Sequence, residues 1–204
     1  MSLDSLRPHA KSILKPLVGI MSRTAITPDA LSVISLIFAI LAGILYAVSG
    51  DRTTLVLAAC AMVLLNGIAD AMDGELARSS GTAGKRGDFL DHVIDRYADV
   101  FIICGIFFGA YVDWRIGVAA VVGTLITSYL GVQAQAVGVG RYYGGILGRA
   151  DRLVIIMLAS ILYFMYPNII YGFSFLGWSI VFIAIASNLT AIQRFMHIWK
   201  ELTR

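Results

Sequence analysis

Charge is scarce in this chain. Only 14% of its 204 residues are Asp, Glu, Lys or Arg, and 58% are hydrophobic, whereas a soluble domain carries about 25% charged residues. The apolar excess is spread over the whole length, which excludes a soluble domain held by one anchor. Cysteine is nearly absent. Cys60 and Cys104 both fall inside apolar runs, which excludes a disulfide framework or a cysteine-type metal cluster and leaves two buried thiols. His9, His92 and His197 are scattered, so no zinc site is expected. The opening MSLDSLRPHAKSILKPL has charges throughout and no continuous apolar core, unlike a cleaved signal peptide.

What remains is long apolar runs. At about 20 apolar residues per crossing, six helices are expected, near Ala30–Val48, Leu55–Ala77, Phe89–Val112, Ile116–Val137, Leu153–Tyr166 and Tyr171–Ile192. The expected fold is an all-α integral membrane protein with six transmembrane helices. With the N-terminus in the cytoplasm, only Arg52 and Arg115 of the 16 Lys and Arg lie on the far side. The positive-inside rule therefore places both termini and the segment Asp70–Asp95 in the cytoplasm of a multi-pass cell-membrane protein. Before the first span, Leu3, Leu6, Ala10, Ile13, Leu14, Leu17 and Met21 recur at helical steps, with Arg7, Lys11 and Lys15 on another face. This pattern fits an amphipathic helix lying on an anionic leaflet, bent or broken at Pro16. Two units are expected: residues 1–24, an interfacial juxtamembrane helix, and residues 25–204, the membrane domain.

The few acids are not scattered. Asp70 and Asp73 lie three apart near the cytoplasmic end of the second span, and Asp91 and Asp95 lie four apart at the start of the third. Both spacings set side chains on one helical face. A hairpin of two neighbouring antiparallel helices would bring the pairs to one depth. Carboxylates at membrane depth are costly unless compensated. Hard divalent cations such as Mg²⁺ or Mn²⁺ accept an all-oxygen ligand set. Four aspartates suffice for two ions, the arrangement that clamps the attacking and leaving oxygens in phosphoryl displacement. Gly74 and Ala77 continue the first acidic face without bulk, Gly87 does so on the other helix, and Arg78 at the membrane edge is placed to meet a phosphate. Interhelical salt bridges alone would not require these small residues.

Asp70-x-x-Asp73-Gly74-x-x-Ala77-Arg78, followed after eight residues by Gly87-x-x-x-Asp91-x-x-x-Asp95, resembles the signature of the CDP-alcohol phosphotransferase family. The resemblance implies that Asp70, Asp73, Asp91 and Asp95 are metal ligands, with Asp95 also the general base. It implies that Thr27, Pro28, Asp29, Gly74, Ala77, Arg78 and Gly87 serve the CDP-linked donor. Thr82 is the loop hydroxyl for the same role, although its spacing from Gly87 departs from the family's. An acceptor hydroxyl would attack the β-phosphorus of a CDP-lipid, CDP-archaeol or CDP-diacylglycerol, and CMP would leave.

The acceptor is to be read from Ser128 to Ile156. Arg149 and Arg152 lie three apart at the membrane edge and Arg141 precedes them in a glycine-rich loop, a cluster suited to an acceptor with its own phosphate. The Ser128-Tyr129 start and the paired arginines resemble the branch making phosphatidylinositol or archaetidylinositol phosphate. That branch has a charged KARAE-like stretch where this chain reads Gly131-Val-Gln133-Ala-Gln135, which leaves glycerol phosphate as the alternative to inositol 1-phosphate. Expected partners are the CDP-lipid, the phosphorylated polyol and membrane lipids, not nucleic acid. The family's members are commonly dimers, and Gly105-x-x-x-Gly109 could pack helices within or between subunits. An alternative of another class, a divalent-cation transporter, would need acids near the midplane and internal repeats; the sequence has neither.

Overall fold

The computed structural model describes Gly19 and residues 26–203; apart from Gly19, the interfacial helix expected over 1–24 lies outside them. Six helices follow one another: α1 Pro28–Val48, α2 Thr53–Ser79, α3 Lys85–Phe108, α4 Trp114–Ala136, α5 Arg149–Met165 and α6 Phe175–Leu202. All six expected segments are helical, and α6 extends about ten residues past its expected end at Ile192. Four of them, α1, α2, α4 and α6, are long and apolar enough to cross a membrane. The other two differ for physical reasons. The first fifteen residues of α3 carry Lys85, Arg86, Asp88, Asp91, Asp95, Arg96 and Asp99. The 17 residues of α5 span about 25 Å at 1.5 Å per residue, short of an apolar core of about 30 Å.

The packing departs from the expected hairpin. α2 and α3 follow one another, yet they touch little; α1 packs along both. Glycines allow this approach. A Cβ on Gly105 would lie 2.3 Å from the Gly43 carbonyl oxygen, and one on Gly109 would lie 2.4 Å from that of Tyr46. The G-x-x-x-G pair therefore joins α1 to α3 inside one chain. α4 packs on α6, while α5 bridges α2 and α6.

With lipid tails as apolar as leucine, helix association rests on close packing and polar contacts. The interior fits that rule. Tyr46 and Ser160 share a hydrogen bond of 2.7 Å, Asn66 donates to the Ser35 carbonyl at 2.9 Å, and Thr127 donates to the Ser187 carbonyl at 2.8 Å. Outward, α1 exposes Val33, Ile37, Leu41, Ile44 and Val48, the apolar stripe of a helix facing lipid.

Candidate active site

Because α1 separates α2 from α3, a cleft opens where their acidic ends converge. Thr27 begins α1 as its N-cap, its hydroxyl accepting from the Ala30 N–H at 3.2 Å, and Pro28 and Asp29 occupy the first turn, where proline and an acid both suit a helix start. The same turn walls a cleft of about 480 Å³, a size suited to a small-molecule ligand. Thr27, Pro28, Asp29, Gly74, Ala77, Arg78, Thr82 and Gly87, the donor residues expected from sequence, all line it. Gly87 has nothing within 4 Å of where a Cβ would stand, so any side chain there would take up cleft volume. At Gly74 a Cβ would lie 3.3 Å from the Arg78 guanidinium, so glycine gives that group room. Arg78 is half-exposed and pairs with Glu75 at 2.9 Å.

Of the four signature acids, Asp73 and Asp91 line the cleft, and Asp70 and Asp95 neighbour them. One carboxylate oxygen from each of Asp70, Asp73 and Asp91 lies within 4.8 Å of the others, and Asp91, His92 and Asp95 form a second such group. Asp73 is buried and accepts from Ser32 Oγ at 2.5 Å. Asp70 Oδ1 is buried and accepts no hydrogen bond among the described residues. An all-carboxylate set with an unpaired buried oxygen fits a hard divalent cation, and Asp70, Asp73 and Asp91 could hold one, with Asp95 in the neighbouring group.

The fifth helix supplies a counter-charge. Arg149 Nη1 reaches Asp70 Oδ2 at 2.7 Å and Asp95 Oδ1 at 2.8 Å. Arg152 is buried and pairs with Asp99 at 2.5 Å. The Gly148 N–H donates to Asp151 at 2.8 Å, which starts α5 so that both arginines face the acids. Arg141 is elsewhere. It forks onto Asp88, with Nη1 to Oδ1 at 2.9 Å and Nη2 to Oδ2, and its Nε donates to Gln135 at 2.7 Å. These bonds hold Asp88 below the usual carboxylate range and raise Arg141 above its ordinary value. Ser128 is half-buried on α4. The expected acceptor residues are thus divided: Arg149 and Arg152 stand at the acids, and Arg141 stands at the rim.

Several residues escaped the sequence reading. Ser32 lies one turn past Pro28, where nothing in the sequence ties it to Asp73. His92, read as isolated, sits 3.9 Å from both Asp88 and Asp91. Arg194 is 6% exposed and donates to the carbonyls of Thr127 (2.8 Å), Gly144 (2.8 Å) and Tyr143 (3.1 Å). It lies two residues past the expected end of the last span, where it reads as ordinary cytoplasmic charge.

Residues 25–198 match the family described as CDP-alcohol phosphatidyltransferase. The chain belongs to this family. It is therefore a phosphotransferase of phospholipid biosynthesis. The chain is 30% identical over 200 residues to archaetidylinositol phosphate synthase of Pyrococcus horikoshii, covering 98% of each protein. It is also 30% identical to archaetidylinositol phosphate synthase of Methanothermobacter thermautotrophicus, covering 98% of this chain and 95% of that one. In fold, this CDP-alcohol phosphatidyltransferase resembles the Mycobacterium tuberculosis phosphatidylinositol phosphate synthase crystallised with CDP-DAG. The TM-score is 0.76 at 23% identity, over 92% of this chain and 94% of that one. The same mycobacterial enzyme in complex with manganese and citrate superposes with a TM-score of 0.74 at 24% identity, over 90% and 88% of the two chains.

Proposed function

We propose that the protein transfers a lipid phosphatidyl-type group from a CDP-lipid to inositol 1-phosphate or a closely related phosphorylated polyol, releasing CMP. One observation carries this reading: the acids of α2 and α3 converge beside the donor-lined cleft, Asp73 and Asp91 on its wall, with Arg149 set against Asp70 and Asp95. CDP-archaeol is the first choice of donor, because two relatives that match nearly the whole chain are archaetidyl transferases. Glycerol phosphate is the second acceptor reading, favoured by Gly131, Gln133 and Gln135 in place of charged residues.

In this mechanism Thr27, Pro28, Asp29, Gly74, Ala77, Arg78, Thr82 and Gly87 hold the cytidine diphosphate while the lipid tails stay in the bilayer. Mg²⁺ or Mn²⁺ held by Asp70, Asp73, Asp91 and Asp95, two ions at full loading, would supply positive charge to the pyrophosphate. Asp95 takes the proton of the acceptor hydroxyl. That oxygen forms a bond to the β-phosphorus, the bond from that phosphorus to the bridging oxygen breaks, and CMP departs with the electron pair. Arg149 binds the acceptor's own phosphate beside Asp95, with Arg152 behind it, while Arg141 and Ser128 border the approach. The cleft opens to the cytoplasm, and the membrane domain runs over residues 25–204.

A panel of acceptors tests this reading. Purified protein receives CDP-archaeol or CDP-diacylglycerol with Mg²⁺ and one of inositol 1-phosphate, glycerol phosphate, inositol, glycerol or serine, and CMP release is measured. CMP is expected with a phosphorylated polyol. Use of serine alone would overturn the acceptor assignment, and metal flux without CMP release would overturn the reaction.

A further inference from the structure

We propose that Asp99, which lies outside the family signature, is a positioning residue that orients Arg149 toward the acceptor's phosphate. The inference rests on the acceptor reading above. Asp99 lies on α3 one turn beyond Asp95 and is 4% exposed. Its two oxygens face different arginines: Oδ2 stands 2.5 Å from Arg152 Nη2, and Oδ1 stands 4.0 Å from Arg149 Nε.

A guanidinium presents its N–H donors in a rigid planar fork. Two edges therefore fix its orientation. Arg149 is held at one edge by Nη1, which reaches Asp70 and Asp95. The Nε edge faces Asp99. Nε and Nη2 are both buried without a hydrogen bond among the described residues; at 4.0 Å Asp99 acts on the Nε edge through its charge, and Nη2 is the donor available to an anionic oxygen next to Asp95.

Arg152 has a different part. At 2% exposure it is too enclosed to reach a polar ligand, and its charge is balanced by Asp99. The pair therefore acts as a neutral block behind Arg149 and leaves that residue's charge directed at the cleft. The ligand chemistry this orientation suits is a phosphomonoester. An uncharged alcohol would gain nothing from it.

The test compares full-length wild-type protein with Asp99→Asn, Asp99→Glu and the double variant Asp99→Asn/Arg152→Gln. The assay is CMP release with CDP-archaeol and inositol 1-phosphate, with KM for each substrate and a melting temperature. Two opposite charges about 4 Å apart in a partly buried site are coupled strongly enough for roughly a tenfold change or more in binding. The acceptor KM of Asp99→Asn is therefore expected to rise about tenfold or more, while the CDP-lipid KM moves little. The double variant, which buries no unpaired charge, is expected to regain the melting temperature and keep the raised acceptor KM. Asp99→Glu is expected to recover part of the acceptor KM. Recovery of both melting temperature and acceptor KM in the double variant would overturn the inference and make Asp99 a counter-ion only. If Asp99→Asn fails to fold, the double variant and Asp99→Glu decide the outcome. Wild-type protein that takes no phosphorylated polyol would sink the acceptor reading and this inference together; an unchanged acceptor KM in an active variant would sink the inference alone.

Discussion

The wall of the cleft proposed to hold the donor is made by the end of α2 and the start of α3, residues close along the chain, together with the start of α1. The wall proposed to hold the acceptor is made by α3, α4, α5, α6 and the loop over 137–148, residues far apart along it. On α2 and α3 the donor-side residues follow at helical steps, so residue spacing encodes that part of the site directly. On the acceptor side each contact depends on how distant helices pack. Arg194 on α6 ties Thr127 on α4 to Tyr143 and Gly144 in the loop. The donor half can therefore be specified by a short motif, while the acceptor half can change through packing alone.

The largest test of this division lies where the two sides meet. Asp95 faces both the acid cluster and Arg149. General-base assistance contributes about 10² to 10⁴ in rate, so Asp95→Asn should lower kcat by that order while CDP-lipid binding persists. Single-turnover CMP release, together with equilibrium binding of the CDP-lipid, separates the two effects. Near-normal turnover would show that the base lies elsewhere.

A change confined to the donor side should act through the acids. Ser32 donates to Asp73 at 2.5 Å. Partners of metal-binding side chains typically contribute 10- to 100-fold in metal affinity or activity. Ser32→Ala should raise the Mg²⁺ or Mn²⁺ concentration needed for half-maximal activity by about tenfold and leave the acceptor KM unchanged at saturating metal. A shift in acceptor KM alone would break the separation of the two sides.

The legibility of the sequence follows the same division. Apolar runs located all six helices, because a lipid-facing or buried helix leaves a long uninterrupted signal. The donor wall was legible because Asp70, Asp73, Gly74, Ala77, Arg78 and Gly87 share two helical faces. The contact of α1 with both α2 and α3 was not, since it depends on Gly43 and Gly105 permitting backbone approach and one glycine pair does not name its partner. Ser32, Asp99 and Arg194 stayed hidden for a related reason: their partners lie 41, 53 and 50 or more residues away. Gln133 and Gln135 lie two apart, so a regular helix turns them to different faces. Gln135 is exposed and bonds Arg141, while Gln133 is half-buried.

An acceptor-side change should show up in packing first. A Cβ on Gly131 would lie 2.6 Å from Arg194 Nη1 and 3.0 Å from the Tyr142 carbonyl oxygen. Arg194 cannot move aside freely, because three carbonyls hold it. Overpacking of this kind costs about 1–3 kcal/mol. Gly131→Ala should therefore lower the melting temperature and raise the acceptor KM through the loop at Tyr143 and Gly144, with the CDP-lipid KM unaffected. Full stability in Gly131→Ala would mean that the loop is not fixed by Arg194.

The smallest expected effect comes from the contact that joins the two sides. Arg141 belongs to the loop proposed to border the acceptor, and Asp88 lies at the first turn of α3 on the cleft proposed for the donor. Exposed ion pairs contribute about 0–1 kcal/mol, so Arg141→Ala should shift the melting temperature little at neutral pH. Its pH dependence has a definite sign. Arg141 lowers the Asp88 pKa in the folded protein, so the pair's contribution is complete above the ordinary aspartate value, near 3.9. It disappears as the pH falls through the lower folded value. Wild type and Arg141→Ala should therefore differ by a small constant amount at neutral pH and converge in acid below pH of about 4. A difference that grew with acidity would assign the contact to another group. A change in acceptor KM without a change in CDP-lipid KM would place Arg141 with the acceptor wall, despite its partner on the donor cleft.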